Sequence, residues 1–277
     1  MEKDIKTVLS ESGFGFKKRF GQNFITDKNL LASIVAQAGV ENCDTVVEIG
    51  CGAGTLTRAI AQKAKRVIAF EVDKTLQPVL AQTLAGFDNA EVIFRDFLKV
   101  NLLELEKEIG EYMVVANLPY YVTTPLITKL LDESKFCKSL TVMVQEEVAL
   151  RLCARENTPD YGAITAVIAL RARAEIVKKV PRTMFTPRPN VDSAVVKLTI
   201  QDGRIKVNDG ALYKKTVHAA FAARRKTLAN NLVNTFNLTR AQTEELLSSC
   251  NMDLKARGET LSPQQFAYLA DRLGEIL

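Results

Sequence analysis

Apolar, β-branched runs alternate with segments of helical periodicity along most of the chain, beginning near residue 27. Short apolar runs predict buried strands, whereas apolar residues three and four positions apart predict one face of a helix. The predicted strands occupy residues 45–49, 66–71, 90–94, 112–116 and 139–145. A helix-like segment separates each strand from the next, and this repetition predicts a parallel, doubly wound α/β sheet with helices on both faces.

Two local features modify this pattern. Pro78 falls inside the predicted helix 74–85 and should kink it. After about residue 174, two strands are predicted at 174–180 and 191–200 with only a proline-rich connection between them. Because no long helix separates these two strands, we expect them to form an antiparallel addition to the parallel sheet.

The C-terminal part of the chain has a different composition. From about residue 208 helical patterns follow one another without intervening strands. We therefore predict a domain boundary near residues 201–204, which gives an α/β domain over residues 1–203 and a small all-α domain over residues 204–277.

The amino-acid composition argues against several classes of protein and of catalytic site. No apolar run among the 277 residues approaches the roughly 20 needed to span a bilayer. The N-terminus has no apolar signal region, so we expect a cytoplasmic protein. The five cysteines are scattered without C-x-x-C spacing, and the single histidine, His218, lies in a predicted helix. We therefore expect neither a metal site nor catalysis by histidine or cysteine.

Basic residues are clustered. The formal net charge is +5, and Lys and Arg concentrate at 17–19, 178–188 and 224–226, in each case beside aromatic residues. A single basic run is often only a solvated surface. Three such runs beside aromatic side chains favour a surface that binds a polyanion such as a nucleic acid.

A glycine-rich turn follows the first predicted strand of the sheet. Gly50, Gly52 and Gly54 form a G-x-G-x-G pattern directly before a helix, and Glu48 precedes them. Glycine permits positive φ and lets a ligand approach the backbone closely, so Gly50 and Gly52 are candidate cofactor contacts. The fingerprint of proteins that bind dinucleotide cofactors reads G-x-G-x-x-G, so the spacing here matches it imperfectly.

Acidic residues end the next two strands, at the edge of the sheet where such folds bind ligands. Glu71 could accept hydrogen bonds from both hydroxyls of a ribose, and Asp96 could accept one from an adenine amino group. With the glycine turn, these acids predict a nucleoside cofactor that has no pyrophosphate. S-adenosylmethionine (SAM) is such a molecule.

The fourth strand runs into Asn117, Leu118, Pro119 and Tyr120 at the same edge. The Asn117 side-chain oxygen and the Leu118 carbonyl are acceptors, Pro119 stiffens the turn, and the Tyr120 ring can stack on a base. Two acceptors on one exocyclic amine would point its lone pair at a methyl group, which suits SN2 transfer from a sulfonium. The target base must leave its stack to reach this pocket.

This tetrapeptide is similar to the (Asp/Asn)-Pro-Pro-(Tyr/Phe) motif of amino-directed adenine and cytosine methyltransferases. Over nearly its whole length, the chain more narrowly resembles the KsgA/RsmA-type 16S rRNA adenine dimethyltransferases. The motifs that carry this resemblance are KKRFGQNFITD, VVEIGCGAGTLT, FEVDK, RDFLK, VVANLPYYVTTPL, VMVQEEVALRL, FTPRPNVDSAVVKL and RRKTLANNL.

The resemblance implies a Rossmann-like SAM-dependent methyltransferase domain and a C-terminal helical domain that contacts RNA or the ribosome. It also implies transfer of two methyl groups from SAM to N6 of each of two adjacent adenosines in the 3′-terminal hairpin of 16S rRNA. The substrate would be the 30S subunit or its precursor during assembly. We expect a monomer with no membrane or metal partner.

The resemblance also assigns residues. Asn23 and Ile25 resemble the N-terminal segment that lies against SAM, although the family more often has Leu at the position of Ile25. Phe185 resembles the aromatic residue that closes the target base against Tyr120, with packing in the core as its structural alternative. The implied cofactor contacts are Gly50, Glu71, Asp96 and Asn117, and Asn117 would serve the target base as well.

Three other functions stay open at this point. A 23S rRNA adenine methyltransferase of the antibiotic-resistance type would share the fold and chemistry, but that group tends to read Asn-Ile-Pro-Tyr. A non-catalytic RNA-binding assembly factor is disfavoured by the intact motif at 117–120. An NAD-dependent dehydrogenase is disfavoured by the glycine spacing and by the lack of an obvious proton donor.

Overall fold

The computed structural model describes residues 23–119 and 122–277. In chain order, its strands are β1 (Phe24–Ile25), β2 (Thr45–Ile49), β3 (Arg66–Glu71), β4 (Ala90–Phe94), β5 (Tyr112–Asn117), β6 (Cys137–Gln145), β7 (Ala172–Val180), β8 (Phe185–Thr186) and β9 (Ser193–Ile200). One sheet has the order β4-β3-β2-β5-β6-β9-β7, and β1 pairs with β8 in a separate two-stranded sheet.

The direction of strand pairing confirms the predicted fold class. β2 pairs in parallel with β3 and β5, while β4 and β6 extend the parallel sheet on either side. β9 pairs antiparallel with β6 and β7 follows β9 at the end of the sheet, so the predicted antiparallel addition to the parallel sheet is confirmed. The five parallel strands lie where the apolar runs placed them, within two residues at each end.

The helices occupy the segments between and after these strands. In chain order, they are α1 (Lys28–Ala38), α2 (Thr55–Ala61), α3 (Gln77–Thr83), α4 (Leu102–Ile109), α5 (Thr123–Glu133), α6 (Glu146–Leu152), α7 (Ala163–Ala169), α8 (Gly210–Phe221), α9 (Leu228–Phe236), α10 (Arg240–Ser249) and α11 (Pro263–Gly274). Within the described ranges, no helix is long and apolar enough to cross a membrane.

The ends of α1 show why local sequence sets these boundaries. The Asp27 side chain accepts a hydrogen bond from the Leu30 N–H at 2.7 Å, and Gly39 ends the helix with φ of 71°. The predicted kink at Pro78 is wrong. A 3-10 turn over Lys74–Leu76 precedes α3, so Pro78 lies in the first helical turn, where its missing N–H costs nothing.

The chain divides into two compact units. The α/β unit contains the described residues up to Ala149 together with Glu175–Ile200, and the helical unit contains Leu150–Ala174 and Gln201–Leu277. A single division after residue 203 therefore differs from the structure, because Leu150–Ala174 belongs with the C-terminal helices.

Buried tyrosines explain this grouping. The Tyr161 hydroxyl donates to the Leu261 carbonyl at 2.9 Å, and the Tyr213 hydroxyl donates to the Ala166 carbonyl at 2.8 Å. Both tyrosine side chains are fully buried in one apolar cluster of the helical unit. These contacts join segments far apart in sequence, so no local pattern could have predicted them.

Strand order also places the functional edge of the sheet. β2 is buried at all five positions and lies between β3 and β5. Because the three strands are parallel, their carboxyl ends meet at one edge. The segments that follow Ile49, Glu71 and Asn117 are therefore neighbours.

Candidate active site

A cavity of about 430 Å³ lies at the carboxyl edge of β2, β3 and β5, within the α/β unit. Its wall brings together every residue predicted to contact the cofactor, among them Asn117, and two further residues of the motif at 117–120. These residues are Asn23, Ile25, Gly50, Gly52, Glu71, Asp96, Asn117, Leu118 and Pro119. Tyr120 lies outside the described residues.

The glycine turn forms one wall of the cavity. Gly50 and Gly52 have φ of 74° and 56°, as the predicted turn requires. A Cβ built on Gly52 would lie 2.7 Å from Cε1 of the Phe24 ring. The packing of the Phe24 side chain onto Gly52 is therefore a further reason for glycine here, beside the positive φ, and close approach of a ligand stays a prediction.

Glu71 holds the turn to the end of β3. One carboxylate oxygen accepts from the Gly52 N–H at 2.8 Å, and the other accepts from the N–H groups of Val72 and Asp73, both at 2.8 Å. A carboxylate offers about four acceptor positions, so these bonds leave roughly one for a ligand. The prediction that Glu71 accepts from both ribose hydroxyls therefore requires one of the backbone bonds to open.

Asp96 follows β4 and caps the 3-10 turn Phe97–Lys99. Its Oδ1 accepts from the Leu98 N–H at 3.0 Å, which fixes the side chain at the cavity wall. The Phe97 ring packs edge-on against Phe70 at 5.0 Å between ring centroids and supports this turn from below.

Two exposed apolar side chains at the cavity were missed by the sequence analysis. Val72 is 46% exposed and Leu98 is 37% exposed, although both are large and apolar. Each follows a predicted acid, Glu71 or Asp96, by one or two residues, and that adjacency is the signal that could have found them. Their side chains add apolar surface beside the two acids, and such a surface suits the flat ring of a ligand.

Asn117 ends β5 with its amide orientation fixed. Nδ2 donates to the main-chain carbonyl of Asn23 at 2.9 Å, so Oδ1 is the acceptor that the side chain retains. The next residue, Leu118, donates its N–H to the Met143 carbonyl at 3.3 Å and keeps its own carbonyl as an acceptor. The structure therefore places the two predicted acceptors in adjacent residues of the cavity wall.

Phe185 does not line the cavity. Its side chain is 5% exposed and belongs to the core cluster of α1 and β1, and Phe185 pairs with Ile25 across the β1–β8 ladder. The side chain therefore has the core position that was its structural alternative, because burial against Ile25 holds the ring there. The role of Phe185 in closing the target base against Tyr120 stays a prediction.

Buried titratable groups also line the cavity. Burial raises the pKa of Glu48 to about 8, and the nearby charge of Glu71 adds to this shift. Burial likewise raises the pKa of the Cys51 thiol, which makes it a poor nucleophile. Among the described residues, no group of three or more His, Cys, Asp or Glu side chains is placed to hold a metal ion.

The basic clusters differ in how far their charges are already paired. Residues 17–19 lie outside the described residues. Lys179 pairs with Glu146 at 2.7 Å, and the Arg224 guanidinium donates to the Pro159 carbonyl at 3.0 Å. Arg225 and Lys226 are exposed in the α8–α9 connection, and within the described ranges their side chains form no ion pair.

Residues 13–274 match the family described as Ribosomal RNA adenine dimethylase. The chain belongs to this family. Ribosomal RNA small subunit methyltransferase A from Bacillus licheniformis is 45% identical over 291 residues, which cover 100% of each chain. The protein of the same name from Geobacillus thermodenitrificans is 45% identical and covers 99% of this chain and 98% of its own. The predicted family is confirmed, and this member is a methyltransferase.

Solved structures agree with membership in the adenine dimethylase family. A dimethyladenosine transferase from Plasmodium falciparum is 25% identical with a TM-score of 0.76, covering 89% of this chain and 95% of that one. The 23S rRNA methyltransferase ErmE is 27% identical with a TM-score of 0.70, covering 91% of this chain and 100% of that one. Family membership excludes the dehydrogenase alternative, whereas a 23S rRNA enzyme shares the fold.

Proposed function

We propose that this enzyme transfers methyl groups from SAM to adenine N6 in small-subunit rRNA and produces dimethyladenosine. The observation that carries the proposal is the fixed orientation of Asn117, whose Nδ2 is held by the Asn23 carbonyl so that Oδ1 stays an acceptor. The full-length relatives named for the small subunit, at 45% identity, favour that substrate over the large subunit. Two adjacent adenosines in the 3′-terminal hairpin are the proposed targets.

The residues of the cavity fit SAM by their chemistry. Carboxyl groups of Glu48, Glu71 and Asp96 line the cavity and suit a ligand with two positive groups, ribose hydroxyls and an amino group. The apolar side chains of Val72 and Leu98 suit a purine ring. A calorimetric titration tests the assignment: we expect SAM to bind and NAD not to bind, and the reverse result would reject it.

Positioning of the target amine is the main catalytic task of the chain. When bound, SAM supplies a methyl group on a positively charged sulfur. Oδ1 of Asn117 and the Leu118 carbonyl would accept hydrogen bonds from the two N6–H groups, which would hold the nitrogen lone pair out of the ring and directed at that methyl group. A neutral pair of acceptors suffices, since the excess proton passes to water after N6 has gained its bond to carbon. This scheme requires neither His218 nor a cysteine.

The proposed partner is the 30S subunit or its precursor in the cytoplasm, with the enzyme acting as a monomer. Arg225 and Lys226 support this proposal because their charges are exposed and unpaired within the described ranges. The target base would leave its stack to enter the site.

RNA binding should weaken steeply with salt if these cations contact phosphates. Each phosphate contact adds roughly 0.7–0.9 to the slope of log affinity against log salt. We expect the double substitution Arg225→Ala and Lys226→Ala to reduce this slope by about 1.5 units, measured by fluorescence anisotropy on the rRNA hairpin.

Arg240→Ala is the matched control for this measurement. Its guanidinium already pairs with Glu244 at 2.6 Å, so its removal should leave the slope unchanged. An unchanged slope in the double variant would show that the α8–α9 connection does not contact phosphates.

A further inference from the structure

Glu48 is a buried acid of the cavity wall that plays no part in positioning the target amine. It lies one residue before the end of β2, its side chain is 1% exposed, and it forms part of the cavity wall. Its Oε2 atom has no hydrogen-bond partner among the described residues, and the nearby Thr57 hydroxyl only partly offsets the effect of burial on the pKa of Glu48. A buried carboxylate with an unpartnered oxygen is costly, so this arrangement calls for either a proton or a positively charged neighbour.

The elements packed around Glu48 supply no such positive neighbour. Glu71 from the end of β3 is a second acid, and Cys51 from the glycine turn is neutral. α2 contributes the Thr57 hydroxyl, and the partner of Glu48 on β5 is Val115. The only cationic side chain on the described cavity wall is Arg95, which is exposed at the rim.

We propose that Glu48 is a neutral carboxylic acid in the cofactor-free enzyme and becomes the carboxylate counter-charge of the cationic methionine portion of SAM. This inference rests on the proposed function. The proton balance is simple: the O–H bond of Glu48 breaks when the cofactor binds, the electron pair stays on the carboxylate, and one proton passes to solvent. Cofactor binding is then coupled to proton release.

The direction of the pH effect follows from this coupling. Below the pKa of about 8 in the cofactor-free enzyme, Glu48 must lose its proton for SAM to bind well. SAM affinity should therefore rise on the order of tenfold per pH unit as pH increases towards that value, and level off above it. After methyl transfer the sulfonium becomes a neutral thioether, so the Glu48 carboxylate loses part of the positive charge that stabilised it. This loss favours exchange of the product for fresh cofactor.

Calorimetry in two buffers of different ionisation enthalpy tests the inference. At pH 7 the wild-type protein should release close to one more proton per bound SAM than Glu48→Gln, because a group with pKa of about 8 is largely protonated there. Glutamine mimics the neutral acid in shape, so the variant should fold normally. The cofactor's own titration contributes to both proteins and cancels in the difference.

Glu91→Gln serves as the control, since Glu91 is exposed on β4 and does not line the cavity. Its proton release should equal that of the wild-type protein. Equal proton release by the wild-type protein and Glu48→Gln, with SAM bound by both, would overturn the role of Glu48 and leave the proposed function standing. Failure of the wild-type protein to bind SAM at any pH would reject both.

Discussion

Replacing Asn117 by Ala is expected to lower the rate of methyl transfer by about 10²- to 10³-fold, the usual cost of removing one positioned hydrogen-bonding group from an active site. The variant loses the Oδ1 acceptor that would hold the target amine. It should keep its fold and most of its RNA affinity, because Asn117 lies at the end of β5, where its side chain packs no core. Single-turnover transfer from labelled SAM, with thermal melting as a check on folding, measures the effect.

The variant Asn117→Asp tests whether the Asn23 carbonyl fixes the orientation of the side chain at position 117. The new carboxylate would face the Asn23 carbonyl, which accepts a hydrogen bond from Nδ2 at 2.9 Å in the native protein. Two acceptors repel, so the aspartate must be protonated to restore that bond, and its pKa should rise. Activity of the variant should therefore be low at pH 8 and recover as pH falls. Wild-type activity of Asn117→Asp at pH 8 would contradict the role of the Asn23 carbonyl.

Gly52→Ala is expected to have the second largest effect, a loss of SAM affinity of roughly 100-fold. The added Cβ would lie 2.7 Å from the Phe24 ring, which lines the cavity, and φ of 56° strains any residue with a side chain. Overpacking of this kind costs up to about 3 kcal/mol, and it weakens SAM binding because the Phe24 ring or the turn must move at the cavity wall; each 1.4 kcal/mol is tenfold in affinity. The left-handed strain lowers stability instead, as it does in the control below. Calorimetric titration with SAM measures the loss.

Gly86→Ala is a matched control for this substitution. Gly86 also has positive φ, at 87°, but a Cβ there would meet no atom within 4 Å. It should lose about 1–2 kcal/mol of stability through strain alone and keep its SAM affinity. Equal SAM affinity in Gly52→Ala and Gly86→Ala would show that the packing of Phe24 on the turn is unimportant for the cofactor.

Local patterns predicted the parts of the fold that local interactions determine. β2 is buried at every position, so its apolar run is unambiguous and its ends were found correctly. The same holds for the end of β5, where the apolar run gives way to Asn117. The error at Pro78 had a local cause, because a preceding 3-10 turn moved the helix start to Gln77.

Long-range packing explains what the sequence could not show. Leu150–Ala174 belongs with the C-terminal helices through hydrogen bonds of buried tyrosines, which have no signature in a short window. Phe185 is held in the core by its pairing with Ile25, far away in sequence. The predicted site residues did converge on one cavity because parallel strands place their carboxyl ends together.

The measurement that tests the central claim most directly uses methyl-labelled SAM and small ribosomal subunits that lack the modification. Large subunits serve as the substrate control, and Asn117→Ala serves as the enzyme control. The RNA is digested after reaction, and the labelled nucleoside is identified. We expect labelled dimethyladenosine from small subunits alone. Label in large-subunit RNA, or no label anywhere while SAM still binds, would contradict the proposed function.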